Sequence, residues 1–158
     1  SSQNLSPTVV PVVSSTPPTQ ANSMSGVKIY RNIQFGFEFQ YPEDWKFVEN
    51  SFGGPFSKFN LILEKDLKNY NPFNPSFLIN IVTPDFADRV IISRESLGAN
   101  TSDFMLGGAK GKKYEYTFEG LSKVSIDLPF GEYRILLSAS EEYKDIFNQI
   151  LSTFKFLK

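Results

Sequence analysis

The sequence contains no cysteine and no histidine. Without thiols there is no disulfide, no thiolate nucleophile and no cysteine-ligated zinc. Without imidazole, the histidine-based catalytic arrangements and the commonest metal ligand go too. An excess of either charge is also missing. Sixteen Lys+Arg stand against 17 Asp+Glu, for a net charge of -1, which excludes the basic footprint of a general nucleic-acid binder. No apolar run approaches the ~20 residues that cross a bilayer. The N-terminus shows no basic region followed by an apolar block, so it does not read as a signal peptide. A chain free of cysteine is compatible with either redox compartment. What the 158 residues do have is aromatic side chains, 16 Phe and 7 Tyr, in a length that suits one folded domain.

The first 26 residues differ in kind from the rest. Between Ser1 and Gly26 there is neither a charged nor an aromatic residue, and Pro7, Pro11, Pro17 and Pro18 fall among Ser and Thr. Such a stretch has too little apolar area to offset the roughly 1–2 kcal/mol per residue needed to fix a backbone. It reads as an extended, flexible stalk, followed by a folded domain over 27–158.

Period-two alternation marks the domain as rich in strands. Val27 and Ile29 begin a short one; Phe35, Phe37, Phe39 and Tyr41 then alternate with Gly36, Glu38 and Gln40, placing their rings on one face. Pro42-Glu43-Asp44-Trp45 reads as a turn into a strand near Lys46–Glu49. Phe59, Leu61 and Leu63 alternate again, as do Phe77, Ile79 and Ile81. The added Leu78 and Val82 predict a central strand covered on both faces. Thr83-Pro84-Asp85 predicts a helical turn to about Arg89, and Val90–Ser93 reads as a further strand. Lys113–Phe118, Lys123–Leu128 and Tyr133–Ser138 predict an antiparallel meander. Last, Tyr143, Ile146, Phe147, Ile150 and Leu151 follow helical spacing and form one apolar stripe, capped by Ser138 or Ser140. Phe154 and Phe156 behind it are expected to plug the seam between sheet and helix. The physical reading is α+β: an antiparallel sheet with a terminal amphipathic helix on one face.

The two ends of this domain carry a resemblance. Tyr30 followed by Gly36-Phe37-Glu38-Phe39-Gln40-Tyr41-Pro42-Glu43-Asp44-Trp45 resembles the opening motif of PsbP-like domains, an aromatic strand running into Tyr-Pro-x-x-Trp. The closing run from Tyr143 to Phe156 is similar to the C-terminal helix and tail of small bacterial PsbP-like lipoprotein domains. The resemblance implies an α/β/α sandwich around a central antiparallel sheet. It makes Phe37 and Phe39 core, gives Pro42 and Trp45 the turn, and packs the helix through Ile146, Phe147 and Ile150. Plant and cyanobacterial members are extrinsic subunits of photosystem II on the lumenal side, eukaryotic relatives of the fold bind the small GTPase Ran, and many bacterial members have no assigned activity. It thus implies a non-catalytic, exported domain of the bacterial envelope or thylakoid lumen, lipid-anchored through a cysteine upstream of residue 1. No motif carries over the basic residues on which the photosystem subunits depend.

Chemistry-bearing motifs are few. Gly107-Gly108-Ala109-Lys110-Gly111-Lys112 lacks phosphate-loop spacing, and Lys113 stands where Ser or Thr would meet magnesium. It is a turn feeding the next strand, or an anion-attracting patch of Lys110, Lys112 and Lys113. Asp85 and Asp88 can share a helical face, but no calcium loop surrounds them. Neither a metal nor another cofactor is expected. Two loops present aromatics among turn residues: Phe52-Gly53-Gly54-Pro55-Phe56, and Asn69-Tyr70-Asn71-Pro72-Phe73-Asn74-Pro75. Phe52, Phe56, Tyr70 and Phe73 are either interface anchors or rings folded back over the core edge. Were both loops on one side of the sheet, a partner surface would be the better reading. The expectation is a binding or accessory module with a protein partner. The alternatives are a histidine-free hydrolase using paired carboxylates, and a purely structural envelope protein.

Overall fold

The computed structural model describes residues 26–157, so the stalk, apart from Gly26, lies outside the described residues. Ten strands and two α-helices follow in the order β1 (Val27–Asn32), β2 (Phe37–Pro42), β3 (Lys46–Glu49), β4 (Ser57–Glu64), β5 (Phe77–Val82), α1 (Pro84–Ser96), β6 (Asn100–Leu106), β7 (Ala109–Phe118), β8 (Leu121–Phe130), β9 (Tyr133–Ser140), α2 (Lys144–Thr153) and β10 (Lys155–Phe156). All pairings are antiparallel, so the fold is α+β. Two compact units divide the chain at Asp44/Trp45 and at Asn148/Gln149.

The smaller unit holds a three-stranded sheet in the order β1-β2-β10. Its core is aromatic, as the alternation in β2 predicts. Phe154 stacks on Phe37 at 5.5 Å and on Phe39 at 6.0 Å between ring centroids, and Tyr30 stacks on Phe39 at 5.3 Å. On the opposite face of β2, Glu38 is buried and meets Arg31 at 2.7 Å and Lys155 at 3.4 Å. Gly36 closes the unit: it has φ +78°, its carbonyl accepts from Leu157 N at 2.8 Å, and a side chain there would be strained. Phe154 thus belongs to this aromatic stack, and Phe156 pairs with Phe37 as part of a strand.

The larger unit holds a seven-stranded sheet in the order β3-β4-β5-β9-β8-β7-β6. Strand β5 is interior and buried on both faces, as its doubled apolar pattern predicts. Phe77, Ile79 and Ile81 share one face with Leu61, Leu63, Ile135, Leu137, Ile126 and Leu128, and Phe147 of α2 packs there on Phe77, 5.8 Å between centroids. Helix α1 lies on the other face, where Ala87 joins Val82 and Leu136 with Phe86 and Val90 against them. Trp45 is buried, edge-on to Tyr143 at 5.3 Å.

Two sequence expectations need correction, and one strand carried no expectation. Val90–Ser93 is helical, because α1 continues past Arg89 to Ser96; the β-branched run Val90-Ile91-Ile92 has strand propensity that the helix overrides. Asn100–Leu106, polar at its start and apolar at its end, is an edge strand in register with β7 that no alternation announced. Ser140 does precede the C-terminal helical segment, a 3-10 turn (Glu141–Tyr143) leading into α2, but its hydroxyl makes no cap; it donates to Asn74 instead.

Candidate interaction site

Both aromatic loops flank β4, at opposite ends of it. Residues 50–56 precede the strand and 65–76 follow it, so eight extended residues, roughly 25 Å, separate them. The structure places Phe52 and Phe56 at one end of β4 and Tyr70 and Phe73 at the other.

Each loop is braced by a polar side chain projecting from the α1 face of β4. Asn60, fully buried, donates through Nδ2 to the Phe52 carbonyl at 2.9 Å and accepts from Ser51 N at 3.0 Å. Phe56 lies 5.3 Å from Phe86 in a stacked pair, with the Arg89 guanidinium 4.7 Å above it. Phe56 is therefore half folded back onto α1, at 37% exposure, and Phe52 is 40% exposed.

The second loop is held more tightly and presents more. The buried Glu64 carboxylate accepts from Ser76 N and from Ser76 Oγ, both at 2.6 Å. Asn74 Oδ1 accepts from Lys123 Nζ and, at 3.3 Å, from Ser140 Oγ. Inside the loop, Asp66 accepts from Lys68 N at 2.9 Å and Asn69 Nδ2 at 3.0 Å. These two hydrogen bonds, that of Asn69 first, hold its carboxyl below the usual range. Asn71 Oδ1 accepts from Phe73 N at 2.9 Å, and Asn74 N donates to Asn71 O at 3.0 Å, the turn chemistry that Asn and Pro favour. Between these fixed points Phe73 stands 94% exposed, while Tyr70 is half-buried.

Lys123 stands opposite Tyr116 on β7 and Ser140 on β9. Burial pushes its ammonium below the ordinary lysine range, and Arg94, whose guanidinium lies 4.7 Å over the Tyr116 ring, adds to the effect. Two separate shallow grooves lie near Lys123 and its partner Asn74. One, about 290 Å³, lies under the 65–76 loop and includes Tyr70, Asn71, Asn74 and Tyr143; the other, about 300 Å³, lies beside the end of α1 with Lys123 on its wall.

The lysine cluster resolves into separate roles. Lys112 pairs with Asp103 at 2.6 Å, which raises its own proton affinity and lowers that of the carboxyl. Lys113 points to the opposite face of β7, 5.9 Å from the Phe104 ring centre, and Lys110 is exposed near the Gly107-Gly108 turn. The buried carboxylates are likewise engaged: Glu38 with Arg31 and Lys155, Glu64 with Ser76, and Asp127 with Arg134 at 2.6 Å. Asp88 reaches Arg134 at 3.0 Å rather than facing Asp85. Among the described residues, no group of three or more acidic side chains is placed to hold a metal ion.

No protein-family model matches the chain, and no curated protein does. Among solved structures, the solution structure of cyanobacterial PsbP (CyanoP) from Synechocystis sp. PCC 6803 matches with a TM-score of 0.53 at 15% identity, covering 89% of this chain and 99% of that one. The fold is PsbP-like. The crystal structure of LpqN, involved in cell envelope biogenesis of Mycobacterium tuberculosis, also matches, with a TM-score of 0.42 at 14% identity over 84% of this chain and 91% of that one. On the PsbP-like fold, the motifs at both ends of the sequence occupy structural positions: Phe37 and Phe39 are core, Trp45 is buried, and Phe147 and Ile150 are buried.

Sequence reasoning missed Lys123, Ser140 and Glu64 as braces of the Phe73 loop. Asn71-Pro72 and Asn74-Pro75 signal turns, but which strand residues catch them follows from sheet register. Nothing local in the sequence contains that information.

Proposed function

We propose that the chain is a non-catalytic, extracytoplasmic binding or accessory module that engages a protein partner through the 65–76 loop, with Phe73 as the anchoring side chain. The carrying observation is a phenylalanine 94% exposed on a loop that its own Asn71 braces and that Asn74 and Ser76, just after the ring, tie to the buried sheet residues Ser140 and Glu64. A ring held in the open this way loses little freedom on docking, and large aromatics on rigid supports are what interface hot spots use. The PsbP-like fold and the motifs at both ends support an exported accessory role. No helix among the described residues is long and apolar enough to cross a membrane.

The test is capture from an envelope extract of the native host by wild-type chain and by Phe73→Ser. Capture of a defined partner by the first and its loss from the second is expected. Equal capture by both, or none by wild type under mild conditions, overturns the reading.

A further inference from the structure

The groove beneath the Phe73 loop has a chemistry of its own. Its volume, about 290 Å³, is at the small end of ligand pockets. Anions are disfavoured there, since Asp66 and Glu142 outnumber Lys65 among its exposed charges. Cation coordination is disfavoured too, because the acids do not cluster. What remains are amides and two tyrosines. Asn71 and Asn74 both have their Oδ1 atoms engaged by donors from the protein. Their amide orientation is therefore fixed, and each keeps an Nδ2 with two N–H donors for something else. Asp66 has both carboxylate oxygens oriented by Asn69 and Lys68, with acceptor capacity to spare. Tyr70 and Tyr143 add a ring and a hydroxyl each, the apolar-plus-polar pairing that suits an amphipathic ligand.

We infer that this groove binds a neutral saccharide unit, with Asn71 and Asn74 donating to its hydroxyls, Asp66 accepting from them and Tyr70 lying against its C–H face. The inference rests on the binding-module reading and names a second ligand for the same end of the sheet. Oriented amides and carboxylates reject analogues that cannot satisfy them, so the site selects polyols over apolar molecules of equal size.

Saturation-transfer NMR on the whole chain tests this, with chitotriose, cellotriose, maltotriose and α-mannotriose as probes and inorganic phosphate as competitor. Asn71→Asp is the diagnostic variant: it retains the oxygen that accepts from Phe73 N and removes the free donor. Transfer from at least one trisaccharide is expected, weakened roughly tenfold by Asn71→Asp, reduced by Tyr70→Ala and indifferent to phosphate. Absence of transfer from all four at millimolar concentration overturns the inference, as does transfer that Asn71→Asp leaves intact or that phosphate abolishes. Partner capture that depends on Phe73 but persists in Asn71→Asp would leave the docking reading standing, so the two can fail separately.

Discussion

The two faces of the seven-stranded sheet are made of different chemistry. On one, Leu61, Leu63, Phe77, Ile79, Ile81, Ile126, Leu128, Ile135 and Leu137 are all buried and entirely apolar, and Phe147 packs on them. On the other, Asn60, Glu64, Asn80, Ser125, Asp127 and Ser140 are buried among only a few apolar residues, and the 13-residue helix α1 contributes a single buried side chain, Ala87. The first face supplies transfer free energy, roughly 1.5–3 kcal/mol for each large side chain. Each buried polar group on the second is stable only while its partner remains. That second face sends out the braces for both aromatic loops, Asn60 to one and Glu64 to the other. Stability and presentation are thereby assigned to opposite sides of the same strands.

Removing apolar volume from the first face should have the largest effect. Phe77→Ala and Phe147→Ala are each expected to lower unfolding free energy by about 3–5 kcal/mol in urea titrations, a large part of the 5–15 kcal/mol typical of a domain. A loss under 1 kcal/mol would mean that face is not the core. On the polar face, Asp127→Ala leaves Arg134 half-buried with only the exposed Asp88, and should cost about 2–3 kcal/mol. Asp88→Ala removes a partner on an exposed side chain and should cost under about 1 kcal/mol. Equal losses would contradict the ranking.

Lys123 sharpens the contrast through pH. Its folded proton affinity is depressed, by burial first and Arg94 second. Below that folded value both states carry the proton and the burial penalty is fully present. Between it and the unfolded value near 10.4, the unfolded state holds more protons, so stability rises with pH. Wild type should therefore gain on Lys123→Met between pH 7 and pH 10 in matched urea titrations. A loss over that interval would mean that the amine is stabilised, not burdened, by its site.

Much of this architecture was legible in the sequence, and the limits are physical. Strands such as β2, β4 and β5 announce themselves because period two and burial on a face are the same fact. The meander β7–β9 and the stripe of α2 were legible for similar reasons. Strand β6 was not, because Asn100–Asp103 is polar and the Phe104–Leu106 end shows no alternation, and α1 was cut short because Val90, Ile91 and Ile92 in a row mimic a strand. The division into two sheets was also hidden, since Phe154 and Phe156 read equally well as filler for one seam. For the site, Phe73 and Tyr70 were visible as aromatics among turn residues, with exposure or burial left open. The structure divides them, Phe73 outward and Tyr70 half-buried. The catch formed by Lys123, Ser140 and Asn74 joins residues up to 66 positions apart, a distance over which no local pattern reports.

Phe73 and Phe77 stand four residues apart, at 94% and 1% exposure. Measuring unfolding free energy for Phe73→Ser beside Phe77→Ala tests most directly whether one ring is presented and the other packed. Phe73→Ser should lie within about 0.5 kcal/mol of wild type, while Phe77→Ala loses several. A loss of more than about 1.5 kcal/mol on Phe73→Ser, on the scale of burying a side chain, would mean that the ring is folded into the protein and contradict the account.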